Sequence, residues 1–159
     1  MIKQLILVVV VLLSSCSLSN EKIENFEPYI NVEKTNDIEI VDVNIDEYCS
    51  IFENKIDAIC LLYSSSCSYC QKTINDLLIP YIRNTKNKIY GLNVYEENNY
   101  KNLNLIKNYQ PINNDYYHSE NEIRISRPVL QIIYKGEVIQ YKKGYSYTCI
   151  EMLEKYIKK

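Results

Sequence analysis

From Ala58 to Tyr63 the chain runs through apolar residues without a charge, and Ser64, Ser65 and Ser66 follow directly. A run this short and this uniformly apolar is the pattern of a strand buried on both faces, and the serines form the turn that ends it. Beyond the turn, Ile74, Leu77, Leu78, Tyr81 and Ile82 recur at helical spacing, which predicts one buried face of a helix. Pro80 has no N–H and is expected to kink or end that helix near Ile79, with Tyr81 and Ile82 continuing it after the bend. Alternation from Lys88 to Tyr95 predicts a second core strand, and strand, helix, strand makes a parallel crossover unit.

On the N-terminal side of this unit, Ile38, Ile40 and Val41 to Val43 predict a short strand, and a helix opens at Asp46 and runs through Phe52. Residues 96–126 are the least regular part: Tyr100, Leu103, Ile106 and Tyr109 can share a helix, and Pro111 with Asn113 to Asp115 marks a loop. Val129 to Tyr134 and Val138 to Tyr141 predict two strands joined by a Lys135-Gly136-Glu137 turn. A closing helix, capped at Ser146 or Thr148, carries Ile150, Met152, Leu153, Tyr156 and Ile157. The order of elements is that of an α/β domain.

The chemistry begins where the first strand hands over to its helix, at Cys67-Ser68-Tyr69-Cys70. At a helix start the first N–H groups are unpaired and the dipole is positive, so a Cys67 thiolate is stabilised and its pKa falls. The spacing brings Cys70 one turn further in, where it can attack a mixed disulfide formed at Cys67 and release the partner. The competing readings are a plain disulfide staple or half a zinc site, and the strand-turn-helix context favours the redox pair. A zinc site needs more donors than Cys67, Cys70 and the lone His118 supply, and His118, among Tyr116, Tyr117 and Glu120, reads as a solvated loop residue.

Length and charge add little. The 159 residues carry a net charge of −2 with both signs interleaved, which argues against a nucleic-acid or anionic-membrane surface as partner. The N-terminus changes the picture more. Lys3, the apolar stretch Leu5 to Leu13 and then Leu13-Ser14-Ser15-Cys16 have the layout of a secretory signal, too short for a transmembrane helix. Leu-Ser-Ser-Cys resembles the bacterial lipobox, which implies that Cys16 is lipidated and becomes the first mature residue. Residues 1–15 then form a lipoprotein signal peptide, 16–36 the lipidated cysteine with a polar, acidic tether, and 37–159 the folded domain. The expected location is the extracytoplasmic face of a bacterial cytoplasmic membrane, with a simply secreted protein as the alternative. In that compartment disulfides persist, and Cys49, Cys60 and Cys149 leave an odd number to account for. Cys60 in the apolar strand and Cys149 in the closing helix read as buried small hydrophobes, and Cys49 either does the same or pairs with one of them.

The order of elements, the dithiol opening a helix, and Arg127-Pro128 before the hairpin Val129 to Tyr141 together resemble the thioredoxin superfamily over about residues 38–159. The C-x-Y-C dithiol in a secreted chain is also similar to thioredoxin-like accessory proteins found beside bacteriocin and disulfide-processing systems. The resemblance implies a central mixed sheet of four to five strands flanked by helices. It implies further a cis Pro128 against the dithiol, with Arg127, Pro128 and Tyr69 contacting an extended substrate segment. Arg127 either faces Cys67, favouring the thiolate and acidic partners, or only solubilises the rim. Three departures mark this chain. The strand Ile59 to Leu62 holds no acid, with Asp57 too early; Ser66 stands where thioredoxins have a tryptophan; and the helix proline comes late, at Pro80.

The expectation is therefore a membrane-anchored thiol-disulfide oxidoreductase, Cys67 and Cys70 being catalytic. Its partners are protein thiols or disulfides outside the cytoplasm and a redox-recycling partner, and it needs no cofactor or metal. A peroxidatic or haem-maturation role is the rival within the fold, although no C-x-x-C-H occurs. The rival from another class is a surface-anchored binding lipoprotein in which Cys67 and Cys70 form a structural disulfide.

Overall fold

A computed structural model of the chain describes residues 30–109, 117–119 and 122–158. Strand β1 (Val41–Val43) leads into helix α1 (Ile45–Glu53), and β2 (Ala58–Tyr63) into a long helix made of α2 (Ser68–Lys72), a π-helical stretch (Thr73–Leu78) and α3 (Ile79–Thr85). Then come β3 (Ile89–Asn93), α4 (Glu97–Lys101), a 3-10 segment (Leu103–Tyr109), a small hairpin of β4 (Tyr117–Ser119) and β5 (Glu122–Arg124), the hairpin β6 (Val129–Tyr134) and β7 (Glu137–Lys143), and α5 (Thr148–Tyr156). The main sheet has five strands in the order β1-β3-β2-β6-β7. β3 runs parallel to β1 and β2, and β6 and β7 are antiparallel to their neighbours, so the sheet is mixed.

β2 is central and wholly buried because its two faces feed two cores. Successive side chains of a strand point to opposite sides. Ile59, Leu61 and Tyr63 pack with Leu78, Ile82, Ile89, Leu153 and Cys149 on one side, while Cys60 and Leu62 pack with Tyr48, Phe52, Leu92 and Ile106 on the other. The uncharged run from Ala58 is the sequence image of that double burial.

Pro80 does not end the helix. It occupies the start of α3, where its missing N–H costs little, and the preceding π-helical stretch accommodates its ring, with Ile79 N–H reaching back to the carbonyl of Ile74. Leu77, Leu78, Tyr81 and Ile82 all remain buried across the junction. Helix α1 is capped by Asn44, whose side chain accepts from the N–H groups of Asp46 and Glu47 while Glu47 returns a bond to the Asn44 N–H. The Asn-x-x-Glu spacing is the sequence signal for that cap.

Two boundaries differ from expectation. The folded part begins by Ile30 rather than at residue 37: Ile30 is buried and its N–H and carbonyl bond to Tyr156 and Lys158. Val32 is buried as well, and Glu33 meets Lys88 and Tyr90. Only two apolar residues alternate in this strip, too few to stand out against its acidic composition. The segment read as a loop carries β4 and β5, so His118 lies on a strand. The expected signal peptide, Cys16 and the first part of the tether lie outside the described residues, as do Pro111 and Asn113 to Asp115.

The β6–β7 hairpin turns on Lys135 and Gly136, both at positive φ (50° and 77°), the type I′ geometry that suits the twist of paired strands. A side chain at Gly136 would place its Cβ 2.4 Å from the Phe52 carbonyl oxygen, against backbone that cannot move aside. Gly144 shares the φ (75°) but would meet nothing within 4 Å. Gly136→Ala should therefore cost about 3 kcal/mol and Gly144→Ala about 1 kcal/mol. Urea unfolding checks this, the contrast separating steric conflict from the shared backbone penalty.

Candidate functional site at the Cys67-Cys70 helix start

β2 ends at Tyr63, and a turn closed by the Cys67 N–H bonding to the Ser64 carbonyl (3.1 Å) delivers Cys67 to the helix. Serines suit the turn because their hydroxyls bond within it: Ser64 and Ser66 Oγ are 3.0 Å apart, and Asn93 Nδ2 lies 3.5 Å from Ser65 Oγ. Cys67 is the residue that caps α2, and its Sγ accepts the Cys70 N–H at 3.3 Å. The sulfur thus takes the place that a serine or aspartate oxygen takes at ordinary helix starts.

The two thiols, both free, sit in unlike surroundings. Cys67 is partly exposed and Cys70 is fully buried. Burial works against a Cys67 thiolate, but hydrogen bonds outweigh it, from the Cys70 thiol and N–H, the Arg127 guanidinium and the Tyr69 N–H, and the pKa falls below the usual thiol value. Cys70 goes the other way. Burial, then the hydrogen bond to Cys67, push its pKa up to about 12. One sulfur is prepared as a nucleophile and the other is kept protonated until called on.

Arg127 comes from the far side of the sheet, just before β6. The Arg127-Pro128 peptide is cis, Pro128 is buried, and its carbonyl accepts the Gly144 N–H at 2.8 Å. The Arg127 guanidinium lies over the ring of Tyr95, with 3.9 Å between its carbon and the ring centroid, and its charge is among the influences that favour the Cys67 thiolate. Tyr69 presents its N–H to Cys67 while its ring is among the most exposed side chains, 63% accessible. Of the residues singled out in the sequence, Cys67, Tyr69 and Cys70 share the helix start, Arg127 acts on the Cys67 sulfur through its charge, and Pro128 adjoins Arg127.

Asp57 does not join them. Its carboxylate accepts the Lys135 N–H at 2.8 Å beside the β6–β7 turn, at the opposite end of β2 from the dithiol. Tyr63, the last residue of β2, donates instead to Asp42 Oδ1 at 2.6 Å. At Gly91 a Cβ would stand 2.6 Å from Ile40 Cγ2, 3.1 Å from the Tyr63 ring and 3.3 Å from Asp42 Oδ1, so the glycine makes room first for Ile40 and then for this pair. A glycine inside the alternating stretch Lys88 to Tyr95 was the available signal for such a close approach. Tyr95 itself was read only as a strand residue.

The other cysteines among the described residues, Cys49, Cys60 and Cys149, are free and buried. Cys49 and Cys60 belong to the core on one side of the sheet and Cys149 to the core on the other. Burial first, with Glu53 and Asp46 nearby, pushes the Cys49 thiol up to about 11, and burial likewise raises Cys60 and Cys149. Among the described residues no three metal-ligating side chains cluster, and no helix is long and apolar enough to cross a membrane.

No protein-family model and no curated protein sequence matches the chain. Solved structures do. Thioredoxin O1 from Arabidopsis thaliana superposes with a TM-score of 0.54 at 12% identity, over 76% of this chain and 99% of its own. Thioredoxin f2 from Chlamydomonas reinhardtii gives 0.52 at 12%, over 75% and 99%. A thioredoxin variant from Halobacterium salinarum gives 0.52 at 13%, over 80% and 98%. The chain has the thioredoxin fold, with a mixed five-stranded sheet and flanking helices.

Proposed function

We propose that this protein is a thiol-disulfide oxidoreductase that exchanges disulfides with protein partners, Cys67 acting as nucleophile and Cys70 as resolving thiol. The observation that carries the reading is the opposed environment of the two sulfurs: Cys67 partly exposed and held by donors, Cys70 fully buried and held protonated. A staple needs no such asymmetry. The Cys67 thiolate attacks a partner disulfide, one sulfur of which leaves as thiolate; Cys70 then attacks Cys67, expels the second partner sulfur and leaves the oxidised pair. The reverse sequence oxidises a partner dithiol. Pro128 and the Arg127 backbone, with the exposed Tyr69, receive the extended partner segment.

Equilibration of the pair in glutathione buffers, read by alkylation, tests the assignment. A potential between about −120 mV and about −270 mV is expected, the oxidising end meaning a disulfide donor and the reducing end a reductase. A pair that stays oxidised below about −300 mV would be a structural staple, and the enzyme reading would fall.

The address belongs to the same proposal. Lys3, Leu5 to Leu13 and Leu13-Ser14-Ser15-Cys16 support a lipid anchor at Cys16 that holds the domain outside the cytoplasm, within reach of secreted protein thiols and a redox-recycling partner. Metabolic labelling with a palmitate analogue should mark the full chain and be lost in Cys16→Ser.

A further inference from the structure

Arg127 has a long side chain with many rotamers, and keeping its charge near one sulfur requires something to hold it. Among the described side chains no carboxylate forms an ion pair with it. What meets the guanidinium is the face of Tyr95 at 3.9 Å, and behind that ring stands Tyr100, stacked on it at 5.7 Å between centroids with planes 24° apart. Both tyrosines come from the β3–α4 region, on the other side of β2 from the strand that follows Arg127.

A ring and a carboxylate would hold the guanidinium in different ways. A carboxylate would occupy its N–H donors and neutralise its charge. A ring face attracts the cation through its quadrupole, leaves the charge in place, and leaves the N–H groups free to point outward in the guanidinium plane. We infer that Tyr95, backed by Tyr100, is a positioning residue for the thiol chemistry, its ring fixing the Arg127 guanidinium where its charge acts on Cys67. This rests on the proposal that Cys67 is the nucleophile, and it adds that the site extends to an element bearing neither cysteine. The titratable or charged side chains acting on the Cys67 sulfur are the Cys70 thiol and Arg127, so a pH profile reports on few groups.

The test is the pH profile of iodoacetamide alkylation at Cys67 in the reduced full-length protein, read by mass spectrometry of the Cys67 peptide. Tyr95→Leu should move the midpoint upward and slow the reaction at neutral pH by roughly threefold. Tyr95→Phe keeps the ring face and should restore the wild-type midpoint. In an Arg127→Gln background the same Tyr95→Leu change should do nothing more, because the group it positions is gone. Tyr95→Met serves as a second non-aromatic variant should the leucine protein fail to fold. An unmoved midpoint in both non-aromatic variants overturns the inference, and so does an equal shift with and without Arg127. A wild-type Cys67 that titrates at an ordinary thiol value, about 8.5, would instead remove the nucleophile assignment itself, and this inference with it.

Discussion

Replacing Cys70 by serine is expected to leave the protein covalently joined to its partners through Cys67. On the proposed mechanism the wild-type mixed disulfide is short-lived because its resolving sulfur belongs to the same helix, where the Cys70 N–H bonds to Cys67 Sγ at 3.3 Å. An intramolecular attack of this kind replaces an encounter with an outside thiol, and losing it should slow release on the order of 10³-fold. Among the described residues no other thiol can stand in quickly. Cys49, Cys60 and Cys149 are all buried in the cores, their thiols raised above the usual pKa. Non-reducing gels of Cys70→Ser should show a ladder of adducts that thiol reductant collapses, and Cys67→Ser combined with it should show none. Adducts that persist without Cys67 and vanish with Cys149→Ser would sink the assignment of the nucleophile. A protein that traps nothing would be the stapled binding lipoprotein.

Much of this arrangement was legible in the chain, and the reasons differ from place to place. Ala58 to Tyr63 announced itself because a strand buried on both faces must be apolar throughout, and its position fixed the dithiol at a helix start. Lys135-Gly136 was legible because few residues tolerate positive φ at both central positions of a hairpin turn. Pro80 marked the place near Ile79 where the helix becomes irregular, but the form of the adjustment, a π-helical stretch ending at Leu78, has no residue pattern of its own. The docking of residues 30–36 was invisible for a related reason: its contacts are to Asn87, Lys88 and Tyr90, more than 50 positions away, and only Ile30 and Val32 advertise burial. The guanidinium's effect on Cys67 belongs to the same class. Arg127 and Tyr95 are brought together by the strand order β3-β2-β6, which no local spacing encodes.

Arg127→Glu should produce the largest change available without touching a cysteine. Burial opposes a charged Cys67, and the guanidinium is among the donors that reverse the balance. Exchanging it for a carboxylate removes a donor and sets an anion near the sulfur, so both changes act in one direction and the pKa rises. The alkylation curve then moves to higher pH, and at neutral pH the reaction slows about 10- to 100-fold. Stability carries the same signature with a definite sign. The folded-state pKa of Cys67 lies below its unfolded value, so its contribution to the stability of the reduced protein is full above the unfolded thiol's pKa of about 8.5 and is lost as pH falls through the folded value. The raised Cys70 thiol acts with the opposite sign only above about 8.5. The oxidised protein has no such thiol to titrate. The reduced form should therefore lose stability relative to the oxidised one across that window in the wild type, and Arg127→Glu should flatten or reverse the trend. Charge selectivity follows from the same geometry: iodoacetate should gain on neutral iodoacetamide in the wild type and lose in the variant, with the contrast shrinking as salt shortens the Debye length to about 10 Å at 0.1 M. Unmoved curves for both reagents would make Arg127 a solvated rim charge and leave the helix start alone to activate the thiol.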